Sequence, residues 1–183
     1  MNGDKIIQCP DTKSDEDLKL FRDSLRACPR SGLHNPLKNP ERYAKYGDVS
    51  FRLAEAMRKK EVEDFFVDLM QRVIPKSDEQ ARGEWIVTRR FFENWAGDAP
   101  RLFLRGFVVA GDHVGQQSIG YRFPFGPCMH IAPFNFPIEI NALHIFGGLM
   151  AGNKVLAKVD SRVSAVIEQF VRLMHHCGLP EKD

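Results

Sequence analysis

The stretch GPCMHIAPFNFP, residues 126–137, combines a strand, a tight turn and the start of a helix. Cys128–Ala132 is a short apolar run bounded by turn residues, which predicts a buried strand. Pro133 and Pro137 restrict the backbone on both sides of the turn that follows. The amphipathic segment Phe136–Met150 then predicts a helix, so the stretch marks a strand-to-helix junction.

A second strand and a second helix follow this junction. Lys154–Lys158 predicts the strand and Val163–Cys177 the helix, an order typical of a parallel sheet with right-handed crossovers. Upstream, Phe103–Ala110 and Gln116–Phe125 flank a Gly-Asp-His-Val-Gly turn and predict a hairpin. Because parallel sheets normally have more than two strands and are covered on both faces, we predict an α/β fold with an incomplete sheet.

The first hundred residues predict helices separated by proline and glycine. Ser14 is a candidate N-cap for the first helix, and Pro40 suits the first position of the second. Ser77–Phe103 predicts the longest helix of the chain, with a break near Gly97 or Pro100.

The composition, with 43% hydrophobic and 27% charged residues in a chain of 183, is that of a soluble globular protein. A net charge of +2 with both signs interspersed gives no basic surface for nucleic acid. No apolar run approaches the ~20 residues that span a bilayer, so no membrane-spanning segment is expected either.

The N-terminus has four aspartates and a glutamate within its first 17 residues, unlike a secretory signal or a transit peptide. This pattern predicts a cytoplasmic protein unless the natural start lies further upstream.

The four cysteines, Cys9, Cys28, Cys128 and Cys177, are scattered and form no C-x-x-C pair. A disulfide framework and a zinc site are therefore not expected, and a reducing compartment follows. The two histidines before Cys177 would point about 100° apart on a helix and could not chelate one ion well. The sequence predicts no metal site.

Asn135 lies in the proline-bracketed turn between two phenylalanines, and its amide has two interpretations. A lone asparagine at a strand-to-helix junction favours helix capping. An NH₂ group presented there can instead donate to a developing oxyanion, which is worth on the order of 3 kcal/mol in a dry site. The surrounding sequence, Ala132–Pro137, favours the oxyanion donor.

Lys158 ends the second strand, and open α/β sheets bind ligands at the carboxyl ends of their strands. By itself such a lysine is more often a solvated strand end. Its spacing after the turn, with one helix between, favours contact with the ribose hydroxyls or phosphate of a nucleotide. The sequence has no G-x-G-x-x-G, so the ordinary dinucleotide fingerprint is absent.

These two motifs carry a resemblance to a known family. Phe125–Leu179 is similar to the NAD(P)-dependent aldehyde dehydrogenase superfamily, in which the P-x-N-F-P asparagine is the oxyanion donor and the G-N-x-x-x-x-K lysine contacts the adenosine ribose. Three further segments resemble the plant-type delta-1-pyrroline-5-carboxylate (glutamate semialdehyde) dehydrogenases: SGLHNPLKNPERY (31–43), GDHVGQQS (111–118) and KVDSRVS (158–164). The resemblance covers nearly the whole chain, which would be the first third of such an enzyme.

The resemblance implies an aldehyde dehydrogenase-like α/β fold with NAD as cofactor. Ser161 stands where many members have a glutamate that grips the ribose, so a carboxylate that would repel a 2′-phosphate is missing and NADP stays open. Asn135 would be the oxyanion donor, and the implied cofactor-binding residues are Ile131, Ala132, Pro133 and Phe134 near the nicotinamide ribose, with Lys158 and Ser161 near the adenosine ribose.

The resemblance also divides the chain into three parts. Residues 1–102 would be the N-terminal helical part of the cofactor-binding domain, 103–125 the hairpin of an oligomerisation element, and 126–183 the first half of a Rossmann-like NAD-binding sheet. In such enzymes the nucleophilic cysteine and a glutamate that activates water lie far downstream, and none of the four cysteines here substitutes for that thiolate.

Two functions remain open. The first is the N-terminal portion of an enzyme of the mitochondrial matrix that oxidises glutamate semialdehyde to glutamate in proline breakdown, homo-oligomeric when full length. The second is a shortened non-catalytic protein that binds full-length subunits or a nucleotide.

Overall fold

Six α-helices and four short strands make up the described part of the chain. The computed structural model describes residues 7–9 and 11–183, so the first six residues of the predicted segment 1–102, and Pro10, lie outside it. The elements are α1 (Asp15–Arg26), α2 (Glu41–Met57), α3 (Lys60–Val73), α4 (Asp78–Asn94), a 3₁₀ helix (Ala99–Leu104), β1 (Phe107–Ala110), β2 (Gln117–Gly120), β3 (Pro127–Ile131), α5 (Glu139–Met150), β4 (Lys154–Lys158) and α6 (Ser164–His176).

The strands form two separate pairs. β1 and β2 are antiparallel, with Val108 opposite Ile119, which confirms the predicted hairpin although its strands are shorter than expected. β3 and β4 are parallel, with Cys128 beside Val155, and α5 connects them. The predicted strand-helix-strand unit with parallel strands is therefore confirmed, but the prediction that β3 is buried is wrong, because Met129 and Ile131 are 55% and 70% exposed. The pair has the few strands expected of an incomplete sheet.

Two serines begin helices as their sequence context suggests. Ser14 caps α1 and Ser77 caps α4, each with a complete capping box in which the side chain three residues later bonds back to the cap. The predicted helix 77–103 is divided, because Gly97 has a φ of 60° and Pro100 cannot donate to a continuing helix. α4 therefore ends at Asn94 and is 17 residues long, the same as α2, so the expectation of a single longest helix is wrong.

The core is aromatic and lies where α2, α4, α5 and α6 meet. The Phe92 ring packs edge-on against Phe146, with centroids 5.1 Å apart, and also contacts Phe170. Trp85 packs beside Phe170, and its indole N–H donates to the Met57 carbonyl oxygen at 3.0 Å. All of these side chains are fully or almost fully buried, so the helices form the frame that carries the parallel strand pair. In the described chain no helix has both the length and the apolar character needed to cross a membrane.

Candidate active site

The turn predicted to carry chemistry lies at the carboxyl ends of the parallel strands. Ile131, the last residue of β3, lies beside Lys158, the last residue of β4. The N–H of Ala132 donates to the Lys158 carbonyl oxygen at 3.2 Å, which extends the ladder by one residue. The chain then enters the turn 133–137, whose residues Pro133 and Asn135 are exposed. Five of the predicted site residues thus lie together at the carboxyl ends of the two strands.

Asn153 fixes the opposite end of this strand pair. Its side-chain oxygen accepts the N–H groups of Phe125 and Gly126, at 2.8 and 3.2 Å, and its NH₂ donates to the Gly148 carbonyl oxygen. The Lys154 N–H donates to the Gly126 carbonyl oxygen next to it. One buried asparagine therefore sets where both strands begin and so which residues stand at their carboxyl ends.

The helix-cap interpretation of Asn135 is wrong. α5 begins at Glu139 with Ile138 as its N-cap, and no side chain in the local sequence caps it. Asn135 lies three residues before that cap on an exposed turn, and its amide borders a cavity of about 450 Å³. Because Asn135 does not cap α5, its amide can face a ligand in this cavity.

The N–H groups at the N-terminus of α5 donate to a side chain of another helix. Glu84 of α4 places Oε1 2.8 Å from the Ile138 nitrogen and 3.1 Å from the Glu139 nitrogen, and both N–H groups donate to it. Its other oxygen, Oε2, accepts from the Lys76 ammonium. The Glu84 side chain is completely buried and that of Lys76 is 11% exposed, so the pair is an internal one.

A cation covers each of the two phenylalanines that flank Asn135. The Lys76 ammonium lies 4.3 Å from the centre of the Phe136 ring, and the Arg162 guanidinium lies 3.8 Å from the centre of the Phe134 ring. Such contacts are worth about 0.5–1 kcal/mol at exposed sites and more when desolvated. The turn is thus held by Lys76, which lies just before α4, and by Arg162 in the loop after β4.

Arg162 is itself held by Asp160 through two side-chain bonds of 2.9 Å, and these bonds keep the pKa of the Asp160 carboxyl well below its usual range. Ser161 lies between the two residues and is exposed. Because Arg162 packs on Phe134, the loop with Lys158 and Ser161 adjoins the turn with Asn135. The structure therefore brings all seven predicted site residues to one end of the strand pair.

The cavity beside Asn135 has a mixed polar and apolar wall. Burial raises the pKa of the Glu139 carboxyl there, and the nearby Glu84 charge raises it further while Lys76 opposes the effect. The lining residues are Ile74, Pro75, Lys76, Gln80, Gly83, Glu84, Val87, Phe134, Asn135, Phe136 and Glu139.

Sequence reasoning missed Glu84 and Lys76. A signal was present, because the buried face of α4 also contains Ala81, Trp85 and Thr88, and an acid between them needs a buried partner. One partner, Lys76, lies eight residues before Glu84, whereas the backbone partner Ile138 is 54 residues away and nothing in the local sequence identifies it.

The four cysteines do not supply a nucleophile at this site. Burial raises the pKa of each thiol, in Cys9, Cys28, Cys128 and Cys177, which disfavours the reactive thiolate. None of them lines the cavity beside Asn135. Among the described residues no cluster of three or more His, Cys, Asp or Glu side chains could hold a metal ion.

Known proteins share both the sequence and the fold of this chain. It is 51% identical over all 183 residues to the protein named delta-1-pyrroline-5-carboxylate dehydrogenase 12A1, mitochondrial, of Arabidopsis thaliana, and covers 33% of that relative. The chain thus spans about a third of the length of the curated relatives it matches.

Two solved structures share the fold. One is assigned as a methylmalonate-semialdehyde dehydrogenase of Sinorhizobium meliloti complexed with NAD, with a TM-score of 0.73, 22% identity, and coverage of 92% of this chain and 32% of that one. The other is the succinic semialdehyde dehydrogenase of Streptococcus pyogenes with NADP+, with a TM-score of 0.76, 19% identity, and coverage of 95% and 36%.

The family model described as the aldehyde dehydrogenase family matches residues 40–182, from the start of α2 to the residue before the last. This range includes both strand pairs, the turn with Asn135 and the loop with Ser161. The chain belongs to the aldehyde dehydrogenase family.

Proposed function

We propose that the polypeptide carrying this chain oxidises glutamate semialdehyde to glutamate with NAD+ in proline breakdown. The observation that carries the proposal is the position of Asn135, which does not cap α5 and lines a cavity at the carboxyl ends of two parallel strands. The 51% identity to the Arabidopsis relative supports the choice of aldehyde.

In this proposal the Asn135 NH₂ donates to the oxygen of the aldehyde carbon as that oxygen gains negative charge. Lys158 and Ser161 would hold the adenosine ribose, and Ile131–Phe134 would line the cofactor near the nicotinamide. Their chemistry fits such a group, because an ammonium, a hydroxyl and exposed apolar surface lie together at this strand edge. The cofactor, when bound, accepts the hydride. With a serine at position 161 in place of a carboxylate, NADP is an alternative that the Streptococcus pyogenes structure makes relevant.

The thiolate that attacks the aldehyde would come from outside residues 1–183, because burial disfavours all four thiolates here. We accordingly propose that residues 1–102 and 126–183 belong to a cofactor-binding domain and that the catalytic domain follows them. Localisation in the mitochondrial matrix, in line with the Arabidopsis relative's name, is part of the same proposal.

A second candidate is a non-catalytic protein that associates with full-length subunits. The observation that favours it is the hairpin, whose residues Phe107, Val108 and Ile119 are all exposed although they are large and apolar. In the enzyme the same surface would serve homo-oligomer formation.

The test compares Asn135→Ala with Asn94→Ala in the full polypeptide, with NAD+ and glutamate semialdehyde as substrates. Asn94 is the matched control because it is an exposed asparagine at the end of α4, away from the cavity. We expect Asn135→Ala to lower kcat by roughly 10²–10³-fold, about 3–4 kcal/mol, and Asn94→Ala to leave it unchanged. A polypeptide limited to residues 1–183 should show no turnover. Unchanged kcat in Asn135→Ala, or turnover by residues 1–183, would contradict the proposal.

A further inference from the structure

Glu84 and Lys76, which are not among the seven predicted site residues, form a buried ion pair. Moving a carboxylate out of water costs several kcal/mol unless its oxygens are satisfied. Both Glu84 oxygens are satisfied: Oε1 by the N–H groups of Ile138 and Glu139, and Oε2 by Lys76. The carboxylate therefore has three donors and no contact with solvent.

These donors give Glu84 a role in placing α5. The first N–H groups of a helix lack partners within the helix and normally bond to a side chain of the preceding turn. In α5 that local cap is absent, and the acceptor is a side chain of α4. The start of α5 is thus fixed with respect to α4 and not with respect to its own turn.

Lys76 connects Glu84 to the turn that contains Asn135. It pairs with Glu84 and also lies over the ring of Phe136, the residue that directly follows Asn135. Pro137 restricts the backbone between Phe136 and the Ile138 N–H group that Glu84 binds. Displacement of either anchor would therefore move the Asn135 amide.

We propose that Glu84 and Lys76 are positioning residues that set the Asn135 amide where it donates to the oxyanion. This inference rests on the proposed function, in which Asn135 is that donor. Neither residue needs to touch the substrate, although both border the same cavity. Their effect on the reaction passes through Asn135.

The experiment is a double-mutant cycle in the full polypeptide, with kcat and the KM for NAD+ measured for Glu84→Ala, Asn135→Ala and the double variant. A displaced donor can cost about 100-fold in rate, so we expect Glu84→Ala to lower kcat by roughly 10- to 100-fold with the KM for NAD+ unchanged. In the Asn135→Ala background the same change should have little further effect. Glu79→Gln is the matched control for an altered charge on α4, because Glu79 is exposed in its first turn.

Two further variants keep the test decisive if Glu84→Ala folds poorly. In the double variant Glu84→Gln with Lys76→Met, the amide oxygen still accepts from Ile138 and Glu139 while both buried charges are removed. We expect its kcat to lie well above that of Glu84→Ala. Lys76→Met alone leaves the Glu84 charge uncompensated, and kcat should fall with the KM for NAD+ unchanged.

The measured kcat values distinguish failure of the oxyanion role of Asn135 from failure of the positioning role of Glu84. If Asn135→Ala leaves kcat unchanged, the oxyanion role fails and the inference fails with it. If Asn135→Ala lowers kcat but the Glu84 effect is absent, or multiplies fully with it in the double variant, only the positioning role is overturned.

Discussion

The two strand pairs of this molecule differ in how the rest of the chain supports them. The parallel pair is connected by α5, whose residues Ala142, Phe146 and Met150 are buried in the core. Within residues 7–9 and 11–183 nothing covers the hairpin β1–β2 in this way, because all four residues of β1 are exposed and Val108 and Ile119 are 59% and 60% exposed.

This difference in support suits the parallel pair to a ligand site and the hairpin to a contact surface. The parallel pair ends in a turn that is held by α4 through Glu84 and by the loop after β4 through Arg162. The hairpin is held by its own ladder and carries large apolar side chains that no described residue covers. Rigid support suits a group that must be placed accurately, whereas uncovered apolar strands suit contact with another chain.

The largest expected effect comes from removing the support of α5. Phe146 is fully buried, and its ring contacts those of Tyr46, Phe92 and Trp95. Phe146→Ala should lower the free energy of unfolding by roughly 3–5 kcal/mol, because it leaves a cavity in the aromatic core. The measurement is the urea midpoint together with the slope of the unfolding transition.

The control for that change is Val108→Ala in the hairpin. Because the Val108 side chain is mostly exposed, the free energy of unfolding should change by less than about 0.5 kcal/mol. Equal losses of the free energy of unfolding in the two variants would show that the two strand pairs are equally supported by the rest of the chain.

A second, smaller effect concerns pH and His130, which lies on β3 with its ring 5.0 Å from that of His144 on α5. Burial, and secondarily His144, lower the pKa of His130 to about 4, and Nε2 has no hydrogen-bond partner among the described residues. The folded pKa lies below the unfolded value of about 6.5, so between these pH values the unfolded chain binds more protons. Stability should therefore be full above about pH 6.5 and decrease as the pH falls toward 4.

The measurement is the free energy of unfolding at pH 7 and at pH 5. His34, whose pKa burial also lowers, contributes to the loss in the same direction, so the test is the difference between the parent chain and His130→Leu. We expect the variant to lose less stability, by on the order of 1 kcal/mol after allowance for the partial exposure of the ring. His113→Leu, at the exposed turn of the hairpin, is the control, and an equal reduction there would refute the assignment to His130.

Much of the parallel unit could be predicted from the sequence. β4 has the predicted bounds Lys154–Lys158, and β3 is shifted by one residue at each end from the predicted strand Cys128–Ala132. Gly126 and Pro133 flank the first of these segments, and Gly152 precedes the second. The hairpin was also predictable, but the lengths of its strands were not. Pairing stops at Gly120 and Phe107, where the ring of Phe107 fills the space that a side chain at Gly120 would need.

The candidate site was predictable only where its residues are close in sequence. The turn with Asn135 and the strand end at Lys158 follow from local patterns of proline, glycine and apolar residues. The contact between Glu84 and Ile138 does not, because it depends on how α4 packs against α5 across 54 residues. For Asn135 the sequence favoured the oxyanion donor over the helix cap, and the start of α5 at Glu139, with Ile138 as its N-cap, shows that Asn135 does not cap this helix.

The smallest expected effect on stability, and the sharpest test of the hairpin as a contact surface, is Ile119→Lys. Ile119 lies opposite Val108 and the two form an apolar cross-strand pair on one face, whereas Ser118 points to the other face. A lysine at either position should change the free energy of unfolding by less than about 0.5 kcal/mol, since both sites are exposed. If copies of the chain associate through the Val108–Ile119 face, Ile119→Lys should lower the molar mass measured by light scattering, because the charge would be buried at the contact. Ser118→Lys should leave that mass unchanged, and an equal decrease in both variants would point to general charge repulsion instead of a specific apolar contact.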